Sequence, residues 1–322
     1  MPPIQPSLRG SLLTGASALA LSVAGSGAQA QVAGTPKETP PTLALWVEGA
    51  LFWTGGGSFN VPALPGLTAP YMSFNPRDGY EGAIGLDYRW PNQSWHFVFD
   101  ARYGRTGTAN AQNSFFQTTG SGGSTVGNSH GSEHESHLVA DFMIGRDLGL
   151  GTGAVQFQFG IRVADLSATA QVQEAGTRTF YSFGCSCVLP GAQTATGDWT
   201  SRLFGAGPRL ALIGAVPIAG SWTFDYGAGI AELLGTRSFD ASVTSVGGGP
   251  TFFTKFDTTA WIFNADGSAA LSYWLTSHYK VSAGVRGDFY KNALTTYNLN
   301  SGGFENVDRL FWGPFLRLTG AF

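Results

Sequence analysis

A strict alternation of apolar and polar side chains over residues 80–103 constrains this chain more than any other feature. In residues 80–90 (YEGAIGLDYRW) every charged residue falls on one parity, and the other parity holds only glycine, aliphatic and aromatic residues. Residues 95–103 repeat the pattern after a Pro-Asn-Gln tripeptide, which is typical of a tight turn. A period of two is the side-chain period of a β-strand. The sequence therefore predicts a β-hairpin with one apolar and one charged face.

The same alternation recurs in eight further segments between residue 45 and residue 322. Together they predict about ten strands of roughly 8–13 residues, close to the length of a tilted transmembrane strand. The predicted connections are alternately short and long, as in outer-membrane barrels, which have short periplasmic turns and long extracellular loops. A secreted β-sandwich would instead have strands of about 5–6 residues and loops of mixed length. The predicted fold is an all-β, antiparallel transmembrane barrel, with loops 54–79 and 105–134 as candidates for folding into its mouth.

Composition agrees with this prediction. Only 12% of the residues are charged, about half the usual share, and the net charge of −3 argues against a basic nucleic-acid-binding protein. No unbroken apolar stretch of spanning length follows the N-terminal region. Because lipid leaves backbone polar groups unsatisfied, such a chain can cross a membrane only as a closed barrel.

The N-terminal region predicts export. Residues 1–30 contain a charged start, a short apolar run and an Ala-Gln-Ala exit, the marks of a cleaved secretory signal. Residues 31–42 are expected to be a periplasmic lead-in, and 43–322 the barrel. We expect the outer membrane of a Gram-negative bacterium as the location. Its lipid and lipopolysaccharide are expected partners, and the terminal Phe322 is expected to be read by the barrel-assembly machinery.

Fifteen charged residues, eight acidic and seven basic, occupy the inward parity of the predicted strands. In a wide barrel they would line a wet constriction and set ion selectivity. Alternatively they pair across a narrow lumen, since an unpaired buried charge is costly; ten strands lie near the limit at which side chains fill the interior. The predicted pore-lining residues are Glu48, Glu81, Asp87, Arg89, Asp100, Arg102, Asp141, Arg162, Arg209, Asp225, Asp266, Lys280, Arg286, Asp288 and Arg317.

Several segments are similar to the Legionella-type pore-forming major outer-membrane protein family. The most specific are the GLDYRWP hairpin (85–91), the Asp141-Phe142 pair after His137, and the G-x-G-P-R-L strand (205–210). The resemblance covers most of the predicted barrel. It implies an outer-membrane, pore-forming barrel with no enzymatic residues to carry over.

Two further clusters are weaker candidates. The segment HGSEHESH (130–137) brings His130, His134 and His137 together with two glutamates, but its spacing fits no standard metal motif, so a solvated polar loop is favoured over a metal site. Cys185 and Cys187 could form a local disulfide in an oxidising compartment, although the ring would be small and strained. No metal and no cofactor are predicted.

Three functions follow from these features. The first is a passive pore for ions or small solutes, and the alternative is a plugged barrel that acts as an anchor or adhesin through its extracellular loops. A barrel hydrolase would need a catalytic set at the rim, where the candidates are His130, His134, His137 and Asp141. No nucleophile, base and orienting group with evident geometry accompanies them, so no enzymatic activity is predicted.

Overall fold

The computed structural model describes residues 42–62, 71–75, 77–91, 93–118, 124–149, 154–182, 185–246, 252–298, 301 and 303–322. The predicted signal and all of the lead-in except Thr42 lie outside these residues. The described part contains strands and no helix, and no helix in it is long and apolar enough to cross a membrane. The strands are β1 Leu43–Gly55, β2 Phe59–Val61, β3 Met72–Phe74, β4 Gly79–Arg89, β5 Trp95–Thr106, β6 Ala109–Thr118, β7 Ser124–Asp147, β8 Ala154–Ser182, β9 Cys185–Ala219, β10 Trp222–Val246, β11 Phe252–Trp274, β12 Tyr279–Asn298 and β13 Gly303–Ala321.

Ten of these strands form a closed antiparallel ring, in the order β5-β4-β1-β13-β12-β11-β10-β9-β8-β7, with β7 pairing back onto β5. The first and last strands are neighbours. Leu43 and Phe322 exchange two backbone hydrogen bonds of 3.0 and 2.8 Å at this seam. The predicted barrel of about ten antiparallel strands is therefore confirmed.

The two ends of the barrel differ strongly. At one end the connections are short, as between Arg89 and Trp95 or between Ala219 and Trp222, and we take this end as periplasmic. At the other end β8 and β9 run for 29 and 35 residues. The predicted strand length of 8–13 residues is wrong for them. The predicted loop 105–134 is largely strand in the described part, and so are the connections between predicted strands at 173–198, 236–256 and 291–307.

Strand β8 explains why these extensions escape the sequence pattern. In its first half Phe159 and Ile161 point outward and are exposed. Further along, Leu166 and Val172 point inward and are buried, while Thr169 lies on the outer face. The period of two continues, but its apolar side changes from the outer face to the inner face. A search for an outward apolar face therefore stops midway along the strand.

An outward band of large exposed apolar residues encircles the periplasmic half of the ring. An apolar surface of this size on a closed barrel is a lipid-facing surface. We call this half the membrane zone and the half beyond it the extracellular zone. The band includes Leu45, Val47, Leu51, Tyr80, Ile84, Tyr103, Leu138, Phe142, Phe159, Ile161, Phe204, Leu210, Leu212, Phe224, Ile230, Trp261, Phe263, Leu271, Val285, Trp312, Leu316 and Leu318.

The short sheet β2–β3 packs inside the extracellular zone. Phe59 and Phe74 are buried in the common apolar core. The backbone N–H of Asn60 donates to Thr296 Oγ1 at 2.6 Å, which attaches β2 to β12. The described part of loop 54–79 thus folds into the mouth, as predicted. Loop 105–134 does not, because β6 adds a strand to the extension of β7.

Candidate functional site

The fifteen charged residues predicted to line a pore all lie on the inner face of the membrane zone, and each has an oppositely charged atom within 3.5 Å. The sequence left open whether they would line water or pair with one another. In the structure they pair.

Arg162 of β8 is the centre of this network and has no exposed surface. Its Nε and Nη2 donate to the two carboxylate oxygens of Asp141 at 2.7 Å each. Its Nη1 donates to Asn264 at 2.6 Å and to Asp266 at 2.9 Å. Asp266 also accepts hydrogen bonds from Arg209 of β9. A guanidinium with every branch occupied by an acceptor has a fixed position.

The network crosses the lumen rather than following its wall. Arg162 Nη1 lies 3.4 Å from Asp288 of β12, and Arg102 of β5 donates to the same carboxylate at 2.6 Å. Strand β12 is four strands away from β8 in one direction around the ring and four from β5 in the other. The bridge from Arg162 through Asp288 to Arg102 therefore spans the interior.

A second group of pairs lies next to this bridge, and two of its members, Arg286 and Arg317, also line the lumen on the periplasmic side. Arg286 contacts Glu48 at 2.5 Å and also pairs with Glu81. Glu48 accepts a further bond from Arg317 at 2.7 Å, and Glu81 lies 2.6 Å from Nε2 of His137. The two glutamates are thus each shared between two partners.

The periplasmic side of the lumen is more open. A cavity of about 330 Å³ extends from the periplasmic strand ends, including Ala44 and Thr319, to the central bridge at Arg162. Lys280 and Asp225 pair at 2.7 Å on its wall and are partly exposed. This cavity is the part of the lumen that could hold a small solute.

In the extracellular zone the lumen is filled by apolar side chains. Eight of the ten ring strands contribute to one core together with β2, β3 and β6. On β4, a Cβ at Gly79 would lie 2.5 Å from the Phe52 ring, so the core also packs directly against this strand. The ring-strand members include Phe52, Val139, Leu166, Leu203, Leu233, Ile262, Tyr290 and Phe311.

The interior also holds buried charged and polar residues that are not among the predicted pore-lining residues. Arg309 of β13 donates to both oxygens of Glu135 of β7, at 2.9 and 3.0 Å, and both side chains are buried. Asn264 completes the surroundings of Arg162. Continuing the inward parity of β7 and β13 past the apolar band would have found this pair.

Glu133 differs from every other charged residue of the interior. It is 1% exposed, and neither carboxylate oxygen has a hydrogen-bond partner in the described part of the structure. Burial, and then the negative charge of Glu135, raise the pKa of Glu133 to about 8. Its carboxyl group is therefore mostly neutral at pH 7.

The HGSEHESH segment is part of strand β7 rather than a loop. Glu133, Glu135 and His137 point inward, whereas His130 and His134 lie on the outer face. The described residues contain no group of three metal-ligating side chains close enough to hold an ion. His137 and Asp141 are buried in the lumen and not at the rim, so the candidate catalytic residues are not brought together. The side chains of Cys185 and Cys187 lie outside the described part, and their disulfide stays a prediction.

Comparisons with known proteins do not show a family for this chain. No protein-family model and no curated protein matches the chain. Among solved structures, the outer membrane protease OmpT from Escherichia coli is 13% identical, with 89% of this chain and 99% of that chain covered and a TM-score of 0.44. Neisserial surface protein A is 11% identical, covering 87% and 97%, with a TM-score of 0.30. An outer membrane channel from Pseudomonas putida F1 is 11% identical, covering 90% and 100%, with a TM-score of 0.34.

The chain's own geometry defines its class. A closed antiparallel ring, an outward apolar band and short turns at one end are together the features of a transmembrane β-barrel of the outer-membrane type.

Proposed function

We propose that this outer-membrane barrel is closed to passive diffusion and displays at the cell surface the extracellular extensions of strands β7–β12 with β6, which we call the wall. The observation that carries the proposal is the apolar core of the extracellular zone, which joins eight ring strands and the β2–β3 sheet across the lumen. Of the two functions predicted for a non-enzymatic barrel, this packing favours the plugged anchor over the pore.

The charge network supports the same conclusion. A conducting constriction needs charged side chains that water and ions can reach. Arg162 and Arg309 have no exposed surface at all, and each is held by carboxylates. Charges engaged in this way stabilise a filled interior rather than select ions.

A passive pore is the second candidate, because the periplasmic half of the lumen contains the charged cavity of about 330 Å³. A pore of this kind would require the apolar core to move. The Legionella-type family resemblance also favours this function.

Planar-bilayer conductance of the folded full chain separates the two. We expect no discrete open steps from the wild type. The double variant Phe59→Ser/Phe74→Ser removes the two buried aromatic side chains of β2–β3 and should produce steps, whereas Tyr71→Ser, at an exposed position of the same segment, should not. Steps from the wild type whose ion selectivity changes in Asp225→Asn would contradict a closed barrel and establish the pore.

The anchor function has its own test. Phe116 and Phe253 lie on the outer face of the wall, well beyond the apolar band, and each is 69% exposed. Exposed aromatic side chains in this position are candidates for contact with a partner surface. Replacing both with serine should reduce adhesion of cells that display the protein, while Leu275→Ser, an exposed residue of a periplasmic turn, should leave it unchanged. Equal adhesion of all three strains would remove the support for a wall that binds through these residues.

A further inference from the structure

Four hydrogen-bond donors form one cross-strand row on the outer surface of the barrel. Arg105 of β5 is opposite Ser136 of β7, Ser136 is opposite Ser167 of β8, and Ser167 is opposite Arg202 of β9. Three interstrand spacings separate the two arginines, which corresponds to about 14 Å. We call these four residues the Arg-Ser-Ser-Arg row.

The row lies at the boundary between the two zones. The next outward row toward the periplasm contains Tyr103, Leu138, Asp165 and Phe204, and its three large apolar residues are about half exposed. The next row away from the membrane is polar and includes His134 and Thr169. The Arg-Ser-Ser-Arg row is therefore at the level where lipid headgroups meet the barrel.

The donors of this row are largely available. Arg105 is exposed and takes part in no ion pair or side-chain hydrogen bond within the described residues, and the same holds for the hydroxyl groups of Ser136 and Ser167. Arg202 is also exposed but pairs with Asp165, which lies on the row below. Burial, and then the charge of Arg105, lower the pKa of His134, so the positive charge here belongs to the arginines.

The chemistry of the row fits a phosphate group. Guanidinium forks and hydroxyl groups are strong donors to phosphate oxygens. The row becomes acidic beyond β9, since Ser238 of β10 is opposite Arg202 and Asp257 of β11 is opposite Ser238. A lipid phosphate would be repelled at Asp257 and attracted to the β5–β9 side.

We propose that the Arg-Ser-Ser-Arg row binds the headgroup phosphate of a phosphorylated lipid in the outer leaflet, with the acyl chains lying along Tyr103 and Leu138 on the β5–β7 side of Asp165. This site faces lipid and does not depend on whether the lumen conducts.

Native mass spectrometry of the folded full chain in detergent tests the site, with diphosphoryl lipid A as probe and inorganic phosphate as a separate arm. Arg105→Ala should weaken lipid binding about tenfold, since a hydrogen bond to a charged group is lost. Asp165→Ala frees Arg202 from its ion pair and should strengthen binding. Lys255→Ala is the matched control, because Lys255 is exposed on β11 and pairs with Asp240 outside the row. Heat-modifiable electrophoretic migration would verify that each variant is folded.

The outcomes are distinct. Weaker binding in Arg105→Ala together with stronger binding in Asp165→Ala supports the site, because a merely structural effect would not give opposite signs. Equal binding by Arg105→Ala, Lys255→Ala and the wild type would overturn it. Binding of inorganic phosphate as tight as that of the lipid would also overturn it, since the site would then be a general anion site.

Discussion

The membrane zone and the extracellular zone of this barrel are built from the same ten strands but with opposite side-chain arrangements. In the membrane zone the outer face is apolar and the inner face carries the charges. In the extracellular zone the inner face is mainly apolar, apart from buried Glu133 and the Glu135–Arg309 pair, and the outer face is mainly polar. The reversal occurs within single strands, between Ile161 and Leu166 of β8. The outer face is apolar where lipid surrounds the barrel and polar where water surrounds it, and the inner face has the opposite polarity.

The two zones are therefore stabilised differently. The extracellular zone removes apolar surface from water, as an ordinary soluble core does. The membrane zone holds its interior through ion pairs, which cost desolvation and stabilise only when every partner is present. Mutations should accordingly have different consequences in the two zones.

The largest effect is expected from Arg162→Ala in the membrane zone. The substitution leaves Asp141, Asp266 and Asp288 with one counter-charge fewer in a buried site. Removing one partner of a buried ion pair typically costs about 3–5 kcal/mol. Urea unfolding of the folded barrel in lipid would measure it, and a loss below about 1 kcal/mol, the scale of an exposed pair, would show that the network is solvated.

In the extracellular zone the free energy of unfolding should depend on pH, because Glu133 is buried there with a raised pKa. The folded state keeps its proton up to a pKa of about 8, whereas the unfolded state releases it near the ordinary value of 4.5. Between these two pKa values the folded state binds more protons than the unfolded state, so the free energy of unfolding falls as pH rises. The decrease is about 1.4 kcal/mol per pH unit, which amounts to roughly 3 kcal/mol by pH 7.

The Glu133→Gln variant isolates this contribution, because the amide has a similar shape and does not ionise. The unfolding free energy of the wild type minus that of the variant should decrease from pH 5 to pH 8 and then level off. The same difference at every pH would mean that Glu133 does not titrate in this range.

The outer faces give the next comparison. Ile84 is in the middle of β4 and 58% exposed within the apolar band. Ile84→Arg should destabilise the barrel by about 2–4 kcal/mol, as for a charge near the bilayer midplane. Thr169→Arg, on the outer face of the extracellular zone, should stay within about 0.5 kcal/mol of the wild type. The free energy of unfolding in lipid measures both effects. An equal loss for the two variants would mean that the membrane boundary lies elsewhere.

The smallest effect is expected for the outward pair Arg202–Asp165, because the arginine side chain is 53% exposed. Arg202→Ala should cost less than about 1 kcal/mol of stability. A double-mutant cycle with Asp165→Ala would give the coupling energy, and a coupling above about 2 kcal/mol would put this pair in a much less hydrated environment.

The sequence predicts the membrane zone well. Period-two alternation with a fixed outward apolar face is a local signal, and it gives the parity of residues such as Asp100 and Arg286. Which acid meets which base is not local, because Arg102 and Asp288 are 186 positions apart and meet only when the ring has closed.

The extracellular zone is predicted poorly for a different reason. Thr169 and Gln173 resemble loop residues once the expected apolar face is missing, although Leu166 and Val172 keep the same period on the other face. The outward Arg-Ser-Ser-Arg row could not be predicted for a further reason. Its four members come from four strands, and the sequence does not specify the register between those strands.

The seam between β1 and β13 has a consequence for biogenesis. Arg317 of the last strand pairs with Glu48 of the first across 269 positions of sequence, so the interior charges remain incomplete until the final strand arrives. If that strand paired one residue out of register, Arg317 would turn toward the acyl chains, since a slip of one exchanges the two faces of a strand. A barrel joined one residue out of register would therefore place a charged side chain on its lipid face, at a cost of about 2–4 kcal/mol near the bilayer midplane.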